Sequence, residues 1–270
     1  MRKQNITIGK IGYGQVCEDA SISVPGMAAV SDGAGGGGLF ADEWARYLLK
    51  HLDTTKPITT FEQLDVWIDG FWETFYDTYL EKARQADVML YDKFLDEGAF
   101  ATLATVWKRD EQSVSWMTYG DSVVFCYHQR SGILEHSFTS LSDFSKAPFL
   151  INCKDPLVPE GFRCGSFALE SEHDVVFVCS DALSFYVMMM YEITHPEQYV
   201  SELERVRATH SRQCNYLLKA QLQPKLDFSK CLKTLLNCCG HGRNFERHIQ
   251  SLLAKQLIAE DDYSLAILMQ

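Results

Sequence analysis

The sequence predicts an α+β fold in which helices pack outside antiparallel sheets. Short apolar strand candidates come in two groups, and a helical stretch follows each group. Two turn signals, KRDEQ and QRSG, divide the central strands as an antiparallel meander requires. The alternation is also not the regular βαβα of a parallel nucleotide-binding sheet.

The elements follow in order. ITIGKIGYG is a short strand candidate, CEDASISV alternates toward a second, and GMAAVSDG reads as a buried strand ending in an acid and a glycine turn. Over residues 39–52, Leu39, Phe40, Trp44, Tyr47 and Leu48 recur at helical spacing. The stretch 61–95 carries Leu64, Ile68, Phe71, Phe75 and Leu80 and predicts one long helix or two. FATLATVW, SVSWMTYGDSVVFCYH and GILEHSF are then read as one antiparallel meander, with GDS interrupting the middle run or splitting it. Residues 140–165 look like loop. The apolar run VVFVC enters Ser180-Asp181 and a helix start, residues 196–259 are helical in pattern, and EDDYSLAILMQ closes as a strand.

Whole-chain properties narrow the function classes. The 270 residues hold 46% hydrophobic and 23% charged side chains, which suits a folded core. A formal net charge of −11 repels a phosphate backbone, so nucleic acid is not an expected partner. Arg2 and Lys3 precede no apolar core of a signal peptide, and no stretch approaches the roughly 20 apolar residues of a membrane span. Nine scattered cysteines without a CxxC spacing predict reduced thiols and a cytoplasmic setting. Cys238, Cys239, His241 and His248 match no zinc template and read better as a helix end at Gly240.

GAGGGG, residues 33–38, satisfies G-x-G-x-x-G. A dinucleotide site also needs a second strand ending in an acid, and none runs into Asp53, 20 residues past Gly33. No Gly-Lys-Ser or Gly-Lys-Thr follows, so the run is not a P-loop. Asp32 in front of the first glycine would repel a pyrophosphate. A cation explains it better. Acids stand at the ends of strand candidates throughout: Glu18 and Asp19, Asp32, Asp121, Asp181, Asp261 and Asp262. Crowded carboxylates repel, a divalent ion removes that repulsion, and hard oxygen donors suit Mg²⁺ or Mn²⁺.

ED, DG with a glycine run, GDS, SD after an apolar strand, and DD before the last strand occur in that order. The series resembles the metal-dependent serine/threonine protein phosphatases of type 2C, in their bacterial branch, over about residues 5–270. The resemblance implies a four-layer α-β-β-α sandwich of two antiparallel sheets flanked by helices. It also implies two Mn²⁺ or Mg²⁺ ions at one end. No repeat, low-complexity tract or linker divides the chain, so it reads as one domain over 1–270, similar to a type 2C phosphatase domain, with a helical insertion at about 196–258. By motif, Asp32 would bridge both metals and Gly33 would offer its carbonyl. Glu18 would serve one ion, Asp181 and Asp261 the other, and Asp19 would support them. Asp121 would hold a third, weaker metal, although Phe185 stands where a further aspartate ligand is usual. The implied chemistry is phosphomonoester hydrolysis by a water bridging two ions ~3.5–4 Å apart. The implied partners are a phosphorylated protein substrate and a cognate serine/threonine kinase in signalling.

Two departures matter. The family's phosphate-holding arginine, four residues before the glutamate, is Gly14 here, with Lys10 the basic residue upstream that would stand in. The histidine of some members after DG is Ala34. Loss of a bidentate clamp supports an alternative: a weakly active or inactive phosphatase-like regulatory module that binds a phosphoprotein or kinase.

Overall fold

The computed structural model describes residues 4–12, 14, 16–36 and 38–269; Arg2, Lys3 and Gly37 of the glycine run lie outside them. Two five-stranded antiparallel sheets face each other. The first orders β1 (Asn5–Ile8), β12 (Tyr263–Ile267), β11 (Val175–Cys179), β7 (Val123–His128) and β8 (Ile133–His136). The second orders β10 (Phe162–Ala168), β6 (Ser113–Tyr119), β5 (Leu103–Lys108), β3 (Met27–Ser31) and β2 (Ala20–Val24). A small pair, β4 (Phe100–Ala101) and β9 (Ile151–Asn152), stands apart.

The central strands are apolar on both faces, because each face meets a different layer. In β7, Val124 and Cys126 point to the opposite sheet, whereas Val123 and Phe125 point to helices. In β5, Ala104 and Val106 point to the opposite sheet, and Leu103 and Trp107 to the other helices. The layer between the sheets is built mainly of alanine and valine, including Ala28, Val30, Val176, Val178 and Ala266, and these small side chains let the sheets approach closely.

Helices cover both outer faces, giving four layers in the order α-β-β-α. Over the second sheet lie α1 (Ala41–His51), α2 (Phe61–Asp69), α3 (Trp72–Ala86) and α4 (Val88–Glu97), seated by Trp44, Leu48, Phe75 and Phe94. Stretch 61–95 is therefore three helices, where one or two were expected. Gly70 ends the first, and the Asp87 side chain accepts the Met89 N–H at 2.6 Å, starting the third.

Over the first sheet lies α5 (Asp181–Thr194), buried at every residue from Ala182 to Glu192. Such a helix needs partners on all sides. The sheet supplies one, and α6 (Pro196–Ala208), α7 (Arg212–Gln221), α8 (Phe228–Cys238) and α9 (Gly242–Ala254) supply the others through Leu203, Leu217, Leu232 and Ile249. After α8 the chain turns through Gly240 at φ 76°, so Cys238 and Cys239 sit at a helix end.

Two strand expectations are corrected. The central runs do not form one meander: β5 and β6 pair in the second sheet, β7 and β8 in the first, and the GDS turn crosses between sheets. The segment expected as loop up to residue 165 contains the start of β10, a seven-residue edge strand paired to β6.

Candidate metal centre

All the strand-end acids gather at one end of the sandwich. The register fixes this: Ala20 pairs with Ser31, Leu103 with Tyr119, Val123 with Cys179 and Ile8 with Tyr263. Glu18 and Asp19 therefore precede β2 where Asp32 follows β3. Asp121 lies in the β6–β7 turn, Asp181 opens α5 directly after β11, and Asp261 and Asp262 precede β12.

Asp32 is set by hydrogen bonds to one neighbouring residue. The Asp32 N–H donates to Thr102 Oγ1 at 3.2 Å, and the Thr102 N–H donates to the Asp32 carbonyl at 2.8 Å. The Thr102 and Ser122 hydroxyls lie 2.7 Å apart, joining this frame to the GDS turn. Gly33 then passes so close to its neighbours that a Cβ would lie 2.6 Å from the Glu18 carbonyl oxygen and 2.7 Å from that of Ala41. A Cβ on Gly35 would lie 1.7 Å from Glu18 Oε1, and the Gly35 N–H donates to Glu18 Oε2 at 3.2 Å. The glycines make room for a carboxylate and a close backbone approach.

The sequence has no match among family models, and no curated protein matches it. Solved structures do match. The serine/threonine phosphatase Stp1 from Staphylococcus aureus aligns over 100% of this chain and 96% of its own, with a TM-score of 0.52 and 11% identity. PppA, a key regulatory component of the T6SS in Pseudomonas aeruginosa, aligns over 97% and 95%, with a TM-score of 0.52 and 15% identity. The catalytic domain of the serine/threonine phosphatase PstP, in complex with two manganese ions, aligns over 98% and 97%, with a TM-score of 0.51 and 13% identity.

The chain has the type 2C phosphatase fold.

Within this type 2C fold the carboxylates act on one another. Burial pushes the Asp32 carboxyl well above its ordinary value, and the charges of Asp19, Asp181, Asp121 and Asp261 push the same way. Asp181 is likewise raised well above its ordinary value, by burial and then by Asp121, Asp261 and Asp19. Burial lifts Asp19 to about 7 and Asp121 to about 6. Glu18 is raised by burial, against the Gly35 N–H that favours its charge. Four negative neighbours around one aspartate form a field that a divalent ion neutralises.

Among the described residues, no group of three or more His, Cys, Asp or Glu side chains is gathered closely enough to hold a metal ion. The chemistry of the donors nonetheless suits one. Both carboxylate oxygens of Asp19 are buried with no hydrogen-bond partner; they face Asp32, Ser180 and Ser264 without closing a well-formed bond. An orphaned buried carboxylate beside other aspartates is the donor chemistry of Mn²⁺ or Mg²⁺.

Glu18, Asp19, Asp32, Gly33, Asp121, Asp181 and Asp261 thus meet at one end. Asp262 does something sequence reasoning did not assign: both its oxygens accept backbone N–H groups of the N-terminal loop. Lys10, which the sequence offers as the stand-in for the phosphate-holding arginine, ion-pairs with Asp261 Oδ1 at 3.2 Å. Thr102 and Arg163 were also missed. Arg163 acts on Asp121 from β10, the strand that lacks an apolar pattern.

Proposed function

We propose that this chain is a metal-dependent phosphomonoester hydrolase acting on phosphoserine or phosphothreonine in proteins. One observation carries the reading: five aspartates, Asp19, Asp32, Asp121, Asp181 and Asp261, converge on one electrostatic cluster in a fold shared with serine/threonine phosphatases.

In this reading Glu18, Asp32, the Gly33 carbonyl, Asp181 and Asp261 hold two Mn²⁺ or Mg²⁺ ions. Asp19 would support them, and Asp121 would hold a weaker third. The ions supply Lewis acidity, activating water as the nucleophile and neutralising phosphoryl charge. The chain's own residues set the donors. Thr102 fixes the backbone of Asp32, Gly33 and Gly35 admit Glu18, and the β11–α5 junction delivers Asp181 through Ser180, whose N–H donates to the Ser264 carbonyl at 3.1 Å. PstP, with two manganese ions, supports the two-metal count. No helix of the described residues is long and apolar enough to cross a membrane. All nine cysteines are free thiols, which suits a reducing compartment, and the reading takes a phosphoprotein or a kinase there as the partner.

A second reading, a weakly active or inactive regulatory module that binds a phosphoprotein or kinase partner, rests on Gly14 at the clamp position, where φ is 61° and no side chain exists. Phosphate release from a phosphothreonine peptide with Mn²⁺ separates the two. Repeated turnover supports the hydrolase; stoichiometric binding of the peptide without release supports the module.

A further inference from the structure

The N-terminal loop before β2 is pinned by one buried side chain from the other end of the chain. Asp262 is 6% exposed. Its Oδ1 accepts the Lys10 N–H at 2.8 Å, and its Oδ2 accepts the Glu18 N–H at 2.6 Å. Gly9 lets the loop close, since a Cβ there would already lie 3.3 Å from Cys17 Cβ. The two feet of the loop, Lys10 and Glu18, therefore share one anchor and carry opposite charges into one site. Glu18 turns toward Gly35, and the Lys10 ammonium lies 3.2 Å from Asp261 Oδ1.

Beside the divalent ions of the hydrolase reading, a protein cation at the rim of the acids would further favour the approach of a phosphomonoester dianion. Among the described residues, Lys10 and Arg163 are cations that act on these acids. Arg163 acts on Asp121, but its guanidinium packs 5.1 Å from the Phe138 ring centroid and its Nη1 is buried. Lys10 keeps part of its length in solvent: the side chains of Lys10 and Asp261 are 32% and 36% exposed. An ammonium has three donors, so it can keep Asp261 and also meet a phosphoryl oxygen.

We propose that Lys10 takes the phosphoryl group of the substrate, and that Asp262 is the positioning residue that aims it. The inference rests on the hydrolase reading above. It replaces a bidentate arginine by a single-point cation delivered from a different part of the loop.

The test uses the full chain and Lys10→Met, Lys10→Arg and Asp262→Asn. Binding of Mn²⁺, and of inorganic phosphate in the presence of Mn²⁺, is measured by calorimetry, beside KM and kcat on p-nitrophenyl phosphate. Lys10→Met is expected to weaken phosphate and raise KM by about tenfold or more. It should leave Mn²⁺ binding as tight or tighter, because a cation competing at Asp261 is gone. Lys10→Arg should restore much of the phosphate affinity. Asp262→Asn retains one acceptor oxygen and should weaken both ligands, because Glu18 loses its backbone anchor along with Lys10. Wild-type phosphate affinity in Lys10→Met overturns the proposal. So does a loss of phosphate that merely follows a loss of Mn²⁺, which would leave Lys10 a prop for Asp261. In both cases Mn²⁺-dependent turnover by the wild type keeps the hydrolase reading standing. A wild type that binds neither Mn²⁺ nor phosphate overturns both.

Discussion

The Glu18 carboxylate occupies the space that a side chain on Gly35 would need: Oε1 lies 1.7 Å from where that Cβ would be, and Oε2 accepts the Gly35 N–H at 3.2 Å. The glycine run and the ED motif are thus two halves of one contact. Gly35→Ala should evict the carboxylate, weakening Mn²⁺ half-saturation of hydrolysis about tenfold or more, as loss of a ligand's supporting partner does. Metal titration of p-nitrophenyl phosphate hydrolysis checks this; unchanged half-saturation contradicts it.

Asp32 and Asp181 should be worth more to chemistry than to stability. Burial and neighbouring carboxylates raise both pKa values. A carboxyl whose folded pKa exceeds its unfolded value of about 3.9 destabilises the fold when ionised. That penalty is absent below about pH 4 and grows as pH rises toward the folded value. In EDTA at pH 8, Asp32→Asn and Asp181→Asn should therefore raise Tm by ~2 °C or more, a gain that fades near pH 4, while metal-dependent hydrolysis disappears. A lowered Tm at pH 8 counts against the electrostatic account.

Far from the acids, buried His128 links β7 to β8 and to the turn before β11: Nδ1 lies 2.8 Å from Asp174 Oδ2, and Nε2 lies 2.8 Å from Glu135 Oε1. Burial lowers its pKa, but Glu135 and Asp174 outweigh this and the net shift is upward. A raised histidine stabilises fully below its unfolded value of about 6.5 and loses that stabilisation as pH climbs through the folded value. Burial raises the Asp174 carboxyl, but His128 and the Glu170 N–H outweigh it, so Asp174 is lowered and its stabilisation is lost only in acid. The Tm difference between wild type and His128→Asn should be largest between about pH 4 and 6.5 and shrink toward pH 9. A difference that grows with pH contradicts this.

The outer face of the first sheet rests on paired aromatics. Phe125 and Phe177 are register partners with stacked rings 5.0 Å apart, and both are fully buried. Phe125→Ala should lower unfolding stability by about 3–5 kcal/mol in urea denaturation, and Phe125→Leu by clearly less. Equal losses for both would mean that ring volume is not what the site requires.

The strands around the acids were legible because each central strand is buried on both faces and reads as an apolar run stopped by an acid. The acids' convergence at one end was legible only as an order of motifs. Other features carried no local signal. Helices α2 to α4 share one continuous apolar pattern, and only Gly70 and Asp87 divide them. Nothing in SVSWMTYGDSVVFCYH marks GDS as a passage between sheets, since both flanking strands are mostly buried. β10 was missed because it is an edge strand with exposed Cys164, Gly165 and Ser166; its order comes from across the ladder, where Gly165 leaves room for the Trp116 ring. The Asp262 contacts span 244 and 252 residues, a separation over which no spacing rule applies.

The central claim is that these carboxylates serve a metal-dependent hydrolysis. The most direct measurement is p-nitrophenyl phosphate turnover by the purified chain with and without Mn²⁺ or Mg²⁺, beside Asp32→Ala and Asp181→Ala. Metal-dependent turnover in the wild type, lost in both variants while each stays folded, is the predicted result. Turnover that persists in either variant, or a wild type that neither turns over nor binds metal, contradicts the account.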